Sequence, residues 1–207
     1  ICPLVYTPFC AFPAKTTRQS GLLMPQAGIS ERLGASGTLP CYWAIDENQD
    51  ATFYAQYMTK RGLKVGGEYR YDFGNYKGGW QADYLRDLRT DNNLGSDSNM
   101  YGYNDYPNDG IRDNKDRFWL RGTHRQELFP GFRFVAEIDY VSDQDYLRDF
   151  GNGYMSYGES RKFFLSNHYW DLEGKEDFIR TNKLLVNRNW SASSLNVQGV
   201  WYDDIIA

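Results

Sequence analysis

Two residues of the chain have the types and the spacing of a nucleophile and its base. Ser166 and His168 are two positions apart, and on a predicted strand at 161–172 they would share one face. Hydrolases use such a Ser/His pair to activate a hydroxyl group. No G-x-S-x-G motif or comparable sharp turn surrounds the serine, so an esterase has little support. The sequence therefore favours a protein that is not an enzyme.

A metal site is the second kind of chemistry to consider, and the sequence argues against one. Residues 105–116 place acidic side chains at calcium-loop positions 1, 5, 9 and 12, with a glycine at position 6. However, position 3 is Pro107 and position 12 is Asp116 instead of glutamate. The 3 cysteines and 2 histidines form no common zinc-binding pattern. We therefore expect neither a metal nor a cofactor.

Composition narrows the class of protein further. The 207 residues include 23 Lys+Arg and 27 Asp+Glu, a net charge of −4 that argues against a nucleic-acid partner. The chain contains 17 Tyr, 12 Phe and 6 Trp, whereas disordered chains are poor in aromatic residues. No apolar run approaches the roughly 18 residues that a transmembrane helix needs. The chain lacks an initiator Met and ends within an apparent element, so we expect an internal fragment of a longer protein.

Alternation of apolar and polar residues is the dominant pattern, and residues 63–73 show it best. Apolar and small residues occupy the odd positions there, whereas four of the five even positions are charged. Because successive side chains of a strand point to opposite faces, this pattern predicts a sheet with one apolar and one charged face. Turn signals divide the chain into ten predicted strands: 21–33, 38–45, 51–60, 63–73, 79–90, 117–129, 132–142, 161–172, 178–189 and 193–205.

Strand length and loop length together favour a membrane barrel over a soluble sandwich. Most predicted strands are longer than the roughly 5–6 residues of soluble strands and suit the roughly 9–11 of a tilted membrane strand. Two long polar connections, 91–116 and 143–160, follow the fifth and seventh strands and so lie on one side of an up-and-down meander. Short turns on one side and long loops on the other are typical of outer-membrane barrels.

The orientation of the two faces follows from that interpretation. A barrel in lipid turns its apolar face outward and its polar face toward the lumen. Seven charged residues would then line a wide, hydrated interior: Lys64, Glu68, Arg70, Arg121, Arg133, Glu137 and Asp139. The alternative is a soluble β-sandwich with the faces reversed, which would bind glycans through surface Tyr and Trp; alternation alone does not separate the two.

The N-terminal third resembles the LptD (OstA) family of outer-membrane lipopolysaccharide-assembly proteins. The similarity is densest over residues 6–73 and returns near 132–150. Its clearest stretches are Tyr6-Thr7-Pro8-Phe9, Thr17-Arg18-Gln19-Ser20-Gly21-Leu22-Leu23-Met24-Pro25, Leu39-Pro40-Cys41-Tyr42-Trp43-Ala44-Ile45, Gly67-Glu68-Tyr69-Arg70-Tyr71 and Tyr140-Val141-Ser142-Asp143.

The resemblance implies a domain plan, a cargo and partners. Residues 1–20 would be the end of a periplasmic β-jellyroll and a linker, and 21–207 the first part of a large transmembrane barrel in the outer membrane of a Gram-negative cell. The cargo would be lipopolysaccharide, released into the outer leaflet through a lateral gate. The implied partners are the plug lipoprotein LptE, the periplasmic jellyroll bridge protein LptA and outer-membrane lipids.

Two prolines and three cysteines are the remaining positions of interest in that comparison. Pro25 and Pro40 match prolines of the family's first two barrel strands, and proline lacks the N–H that a strand ladder needs. The resemblance therefore implies that they ease opening of the gate; the alternative is that they end short edge strands. Cys2, Cys10 and Cys41 do not fall where the family places its disulfide cysteines, so no disulfide is carried over.

Overall fold

The computed structural model describes residues 18–88 and 115–205 and consists of one antiparallel sheet with a helical insert. The strands of the sheet are β1 Gly21–Leu22, β2 Gln26–Ser30, β3 Gly34–Asp46, β4 Gln49–Met58, β5 Gly62–Asp72, β6 Tyr76–Arg86, β7 Asp116–Phe129, β8 Phe132–Val141, β9 Ile179–Asn189 and β10 Ser194–Asp204. β1 and β2 both pair with β3 as one interrupted edge strand, and β3 to β10 follow in chain order. The predicted all-β antiparallel meander is confirmed.

The connections at the two ends of the sheet differ in length. At the end called the short-turn end, strands are joined by residues 47–48, 73–75, 130–131 and 190–193. Gly74 and Gly131, both with φ of 82°, adopt the left-handed conformation that these tight turns require. At the opposite, long-loop end, β6 connects to β7 through 87–115 and β8 to β9 through 142–178. Both long connections therefore leave from the same end, as the sequence predicts.

The two faces of the sheet have opposite chemistry and opposite exposure. The apolar face carries large side chains that are 37–60% exposed, including Leu39, Trp43, Phe53, Tyr57, Leu63, Val65, Tyr84, Leu120, Tyr140, Val197 and Trp201. The polar face, formed by the alternate residues, is partly covered by residues 142–178, which we call the insert. Within the described residues, no helix has the length and apolar character required to cross a membrane.

The insert corrects one predicted strand. Residues 161–172 were expected to be extended, but they lie mostly within helix α2, Tyr157–His168, which follows the short helix α1, Gln144–Asp149. Ser156 caps α2 by accepting a hydrogen bond from the Glu159 N–H, and Glu159 stands three residues later in a capping-box sequence. Local capping therefore determines the helix, and the weak alternation in this stretch does not reflect a strand.

The core of the molecule lies between the insert and the long-loop half of the polar face. Its buried members are Met58, Leu85, Trp119, Val141, Tyr146, Leu147, Phe150, Tyr157, Phe164, Leu172 and Ile205. Trp119 is at the centre and stacks on Tyr157, with ring centroids 6.2 Å apart. Apolar packing therefore holds the insert against a face that is otherwise charged.

Candidate functional site

Strand register brings the seven predicted lumen residues onto one face. Arg121 on β7 lies opposite Asp139 on β8, and Gln81 of β6 lies between Arg121 and Glu68 of β5. Gln81 joins these residues physically, because it donates to Glu68 at 2.6 Å and accepts from Arg121 Nε at 3.0 Å. The alternation pattern thus identifies the shared face correctly, and its role as a lumen surface stays a prediction.

Three of the seven residues are buried, which differs from the hydrated interior that the sequence suggested. Arg121, Asp139 and Lys64 are 0–4% exposed because the insert covers them. Arg121 bonds Asp83 and donates to Ser160 Oγ of α2 at 2.8 Å, and Lys64 Nζ lies 3.1 Å from Asp83. The remaining four, Glu68, Arg70, Arg133 and Glu137, lie toward the short-turn end and are partly or fully exposed.

A second buried network joins the strands to the insert at the long-loop end. Arg117 of β7, which is fully buried, contacts Asp87 at 3.0 Å, Asp149 at 2.8 Å and Asp143 at 2.5 Å. Arg61 also pairs with Asp87 and Asp149. Arg117 is not among the site residues predicted from the sequence, although it has the same parity as Arg121. The buried Trp119 between them interrupts the run of charges that would have revealed it.

The junction of β8 and β9 contributes a third set of polar contacts. The ladder between these strands stops after the pair of Glu137 and Lys183. Beyond it, the Asp139 N–H donates to Asn182 Oδ1 at 2.8 Å, so a side-chain oxygen accepts in place of a backbone carbonyl. Arg180 pairs with the Asp139 carboxylate from the same side. The sheet therefore opens toward the long-loop end, and polar side chains fill the opening.

The short-turn half of the polar face, in contrast, is open. A cavity of about 800 Å³ lies there beside the end of α2, lined by Arg18, Tyr42, Asp50, Arg70, Asp72, Lys77, Phe163, Asn167 and His168 among others. The chain enters the sheet beside this cavity, because Arg18 contacts Asp50 at 3.1 Å and Ser20 Oγ accepts from the Ala44 N–H at 2.9 Å. A second cavity, of about 500 Å³, adjoins it across Asp72, Gly74 and Lys77.

Ser166 and His168 do not form the pair that the sequence allowed. Two positions apart on a helix, they point in different directions: Ser166 is exposed and donates to the Lys162 carbonyl at 2.6 Å, whereas His168 is 6% exposed against β6. Gly79 makes room for the histidine, since a Cβ there would lie 2.8 Å from His168 Nε2. The calcium-like segment 105–116 lies mostly outside the described residues, which contain no cluster that could hold a metal.

The environment of His168 predicts a pH effect on stability. Burial lowers the pKa of His168 to about 4, helped by the charges of Arg125 and Lys77 and opposed by Asp72. The unfolded histidine titrates near pH 6.5, so between about pH 6.5 and 4 the unfolded chain binds the extra proton. The stability linked to His168 is therefore complete above pH 6.5 and is lost as the pH falls toward 4.

We expect His168→Asn to remove this dependence. In the full-length protein in detergent, the difference in unfolding temperature between wild type and variant should decrease as the pH falls from 6.5 to 4. A difference that is constant over this range would contradict the assignment.

The two predicted gate prolines lie together at the interruption of the edge strand. Leu22 is opposite Cys41 and Gln26 is opposite Thr38, so residues 23–25 face only two residues of β3. This extra residue is a β-bulge, and Pro25 lies in it. Across from it, the Pro40 carbonyl accepts from the Leu23 N–H at 3.0 Å, but Pro40 has no N–H to return the bond. The predicted first strand, 21–33, is split for this reason.

These features define a class of protein: an antiparallel meander with an exposed apolar face, a polar face covered by a helical insert, and an edge weakened by prolines. Comparison with known sequences gives the family. The profile described as "LptD protein" matches residues 1–195, and the chain belongs to that family. Membership agrees with the resemblance found in the sequence.

Individual relatives support the same assignment. The chain is 37% identical over 159 residues to the LPS-assembly protein LptD of Alkalilimnicola ehrlichii, an alignment that covers 76% of this chain and 18% of the relative. The corresponding protein of Mannheimia succiniciproducens is 38% identical over 154 residues, 74% of this chain and 18% of the relative. That of Bordetella pertussis is 35% identical over 147 residues, with 71% and 16% covered. The chain thus spans less than a fifth of these relatives.

Proposed function

We propose that this chain is the first part of an outer-membrane β-barrel that delivers lipopolysaccharide to the outer leaflet. The observation that carries the proposal is the exposure of the apolar face while charged residues of the other face are covered or line cavities. Soluble proteins bury their apolar face, and lipid is the solvent that favours the reverse. The relatives, which are LPS-assembly proteins, supply the cargo.

Strand length supports a membrane location. β3 to β10 contain 10–14 residues each, enough for a tilted strand to cross a bilayer of roughly 30 Å. The soluble glycan-binding sandwich would need a second apolar layer against Leu39, Phe53 and Val197, all at least 48% exposed. Within the described residues, the insert packs on the opposite face, so the structure does not favour that alternative.

A sideways exit for the cargo follows from where the polar face is closed. The insert closes the long-loop half of the polar face through buried ion pairs, whereas the short-turn half of that face is open. Cargo that enters from the short-turn, periplasmic side therefore meets a barrier above it. The bulged edge at Pro25 and Pro40 provides a weaker boundary, and we propose that it forms one side of the lateral gate.

The remaining assignments are part of the same proposal. Residues 1–20 end a periplasmic jellyroll that receives cargo from a bridge protein of the LptA type, and 21–207 begin the barrel. The entry of Arg18 and Ser20 at the short-turn end is compatible with a domain on that side. A plug lipoprotein of the LptE type would occupy the part of the lumen that other strands enclose.

Site-specific photocrosslinking of the full-length protein in cells tests the proposal. Probes at Leu23, Leu39 and Tyr42 flank the bulge on the edge strand and β3, and a probe at Leu184, which is 39% exposed on the apolar face and lies far from the edge, serves as the control. We expect lipopolysaccharide adducts at the first three positions and none at Leu184. With the protein correctly inserted, absence of adducts at all edge positions would refute transport along this edge.

A further inference from the structure

The second cavity, at the short-turn end, has a net positive lining, with three cations against the two carboxylates of Asp72 and Glu127. It measures about 500 Å³, within the range of ligand pockets, and three cations contribute to its wall: Lys77, Arg125 and Arg133. In the described part of the chain, Lys77 and Arg133 have no carboxylate within ion-pair distance, whereas most other cations of the polar face do. Arg125 has only a long contact, 3.7 Å, with Glu137.

The carboxylates of the cavity are occupied with the backbone of the turns. Asp72 accepts from the Gly74 N–H at 3.0 Å, and Glu127 accepts from the Gly131 N–H at 2.9 Å. Each of these two carboxylates therefore stabilises a hairpin turn, and this structural role does not require a bound ligand. Glu137 is shared between Arg125 and Lys183, the latter at 3.2 Å. Lys77 lies opposite Asp72 and Arg133 lies opposite Glu127 in the strand ladders, but neither pair is within ion-pair distance among the described residues.

The geometry of the strands brings two of the cations together. Lys77 on β6 and Arg125 on β7 are directly opposite in the ladder, so their side chains leave the polar face as neighbours. The Arg125 Nε atom is also buried without a hydrogen-bond partner among the described residues. A buried donor without an acceptor is costly, so a ligand that supplies an acceptor there gains the bond and removes the cost.

These observations favour one ligand chemistry. A guanidinium group presents a planar fork of donors that matches the oxygens of a phosphoryl group, and an ammonium beside it adds a point charge. The cavity is larger than a phosphate alone requires, and Tyr76, Gln126 and Phe134 also line it, so the group that carries the phosphate is one that contacts aromatic rings and an amide. A phosphorylated saccharide meets both conditions.

We propose that Lys77, Arg125 and Arg133 form a subsite for a phosphoryl group carried by a saccharide, at the entrance to the polar face. This inference rests on the proposed function and names the part of the cargo that is held first. Cargo entering from the short-turn side meets this cavity before the insert, so its charged head binds here first. Arg125 orients the phosphoryl group, and Lys77 and Arg133 balance its charge.

A photocrosslinker at Asn75 tests the subsite, because Asn75 is exposed and lines the cavity only from the turn. The full-length protein with its partners is exposed to purified lipopolysaccharide, to phosphatase-treated lipopolysaccharide and to phosphatidylglycerol vesicles. We expect adducts with the first, about tenfold fewer with the second, and none with the third. Lys77→Gln with Arg125→Gln should lower the first yield about tenfold, whereas Lys162→Gln on the exposed side of α2 should not.

The outcomes separate this inference from the proposed function. Adducts at Leu39 but equal yields at Asn75 with treated and untreated lipopolysaccharide would overturn the subsite and leave transport intact. Equal capture of phosphatidylglycerol would overturn the saccharide as the carrier. An absence of adducts at both Leu39 and Asn75 would refute the proposed function itself. Unchanged heat-modifiable mobility of each variant shows that the barrel is folded, and Arg133→Gln alone provides a milder second variant.

Discussion

Replacing Arg117 with methionine is expected to lower the free energy of unfolding by about 3–5 kcal/mol. The side chain is fully buried and bonds Asp87, Asp143 and Asp149, so its loss removes the buried cation that these three carboxylates share. Methionine retains most of the volume of the arginine side chain, so the decrease in the free energy of unfolding measures the loss of the charge and not the creation of a cavity. Because two of the carboxylates belong to the insert, we expect the insert to detach from the sheet first.

Arg161→Met is the matched control for this experiment. Arg161 pairs with Asp171 through two bonds, but both side chains are 47% exposed, and exposed pairs contribute little. Unfolding temperatures of the full-length protein in detergent, followed by gel mobility, should fall sharply for Arg117→Met and hardly change for Arg161→Met. Protease cleavage within 142–178 should increase only in the first variant. Similar unfolding temperatures for both variants would contradict the importance of the buried network.

The second large effect concerns transport, and it should follow the replacement of both Pro25 and Pro40 by alanine. An alanine at position 40 restores an N–H directly opposite the Leu23 carbonyl, which completes a reciprocal hydrogen-bonded pair. The donor restored at position 40 would stabilise the closed edge by about 0.5–1.5 kcal/mol, and alanine at position 25 removes the constraint that proline places on the bulge. The open population, and with it delivery of lipopolysaccharide to the cell surface, should fall by about 2–10-fold.

Pro130→Ala provides the control, because Pro130 lies in an exposed turn between β7 and β8, far from the edge. Surface lipopolysaccharide can be followed after a pulse of labelled precursor, together with sensitivity of the cells to large antibiotics. We expect slow delivery and increased sensitivity only in the Pro25/Pro40 double variant. Normal delivery with normal protein levels would show that the prolines merely end short strands.

The sheet could be predicted from sequence because its signal is local and repeated. On 63–73 and 132–142 the period of two is clear, and register then follows from short turns such as 73–75 and 130–131. The edge strand was less predictable. Pro25 predicts a break in the ladder, because proline lacks an N–H. The one-residue change of register at this break depends on how the edge strand pairs with β3, and the sequence of the edge strand alone does not specify that pairing.

The insert was missed because two signals conflicted. Residues 161–172 are rich in aromatic residues, which favour strands, whereas Ser156 and Glu159 form a capping box that begins a helix. Burial of Lys64 and Arg121 was also unpredictable, since it depends on a segment distant in sequence that covers them. The alternation of the sequence thus predicts which charged residues share a face of the sheet. It does not predict whether those residues are exposed to water.

The charged cluster around Arg117 also imposes an order on assembly. Its members come from the turn just before β5, the residue after β6, the start of β7 and both ends of α1, so no two neighbouring elements can complete it. Until β4 to β8 are paired, each of these groups is better solvated by water than by its partners. We therefore expect the strands to pair first, while these charged groups are still solvated by water, and the insert to dock afterwards. Only a sheet whose strands are in the correct register brings all members of the cluster together, so docking of the insert requires correct strand pairing.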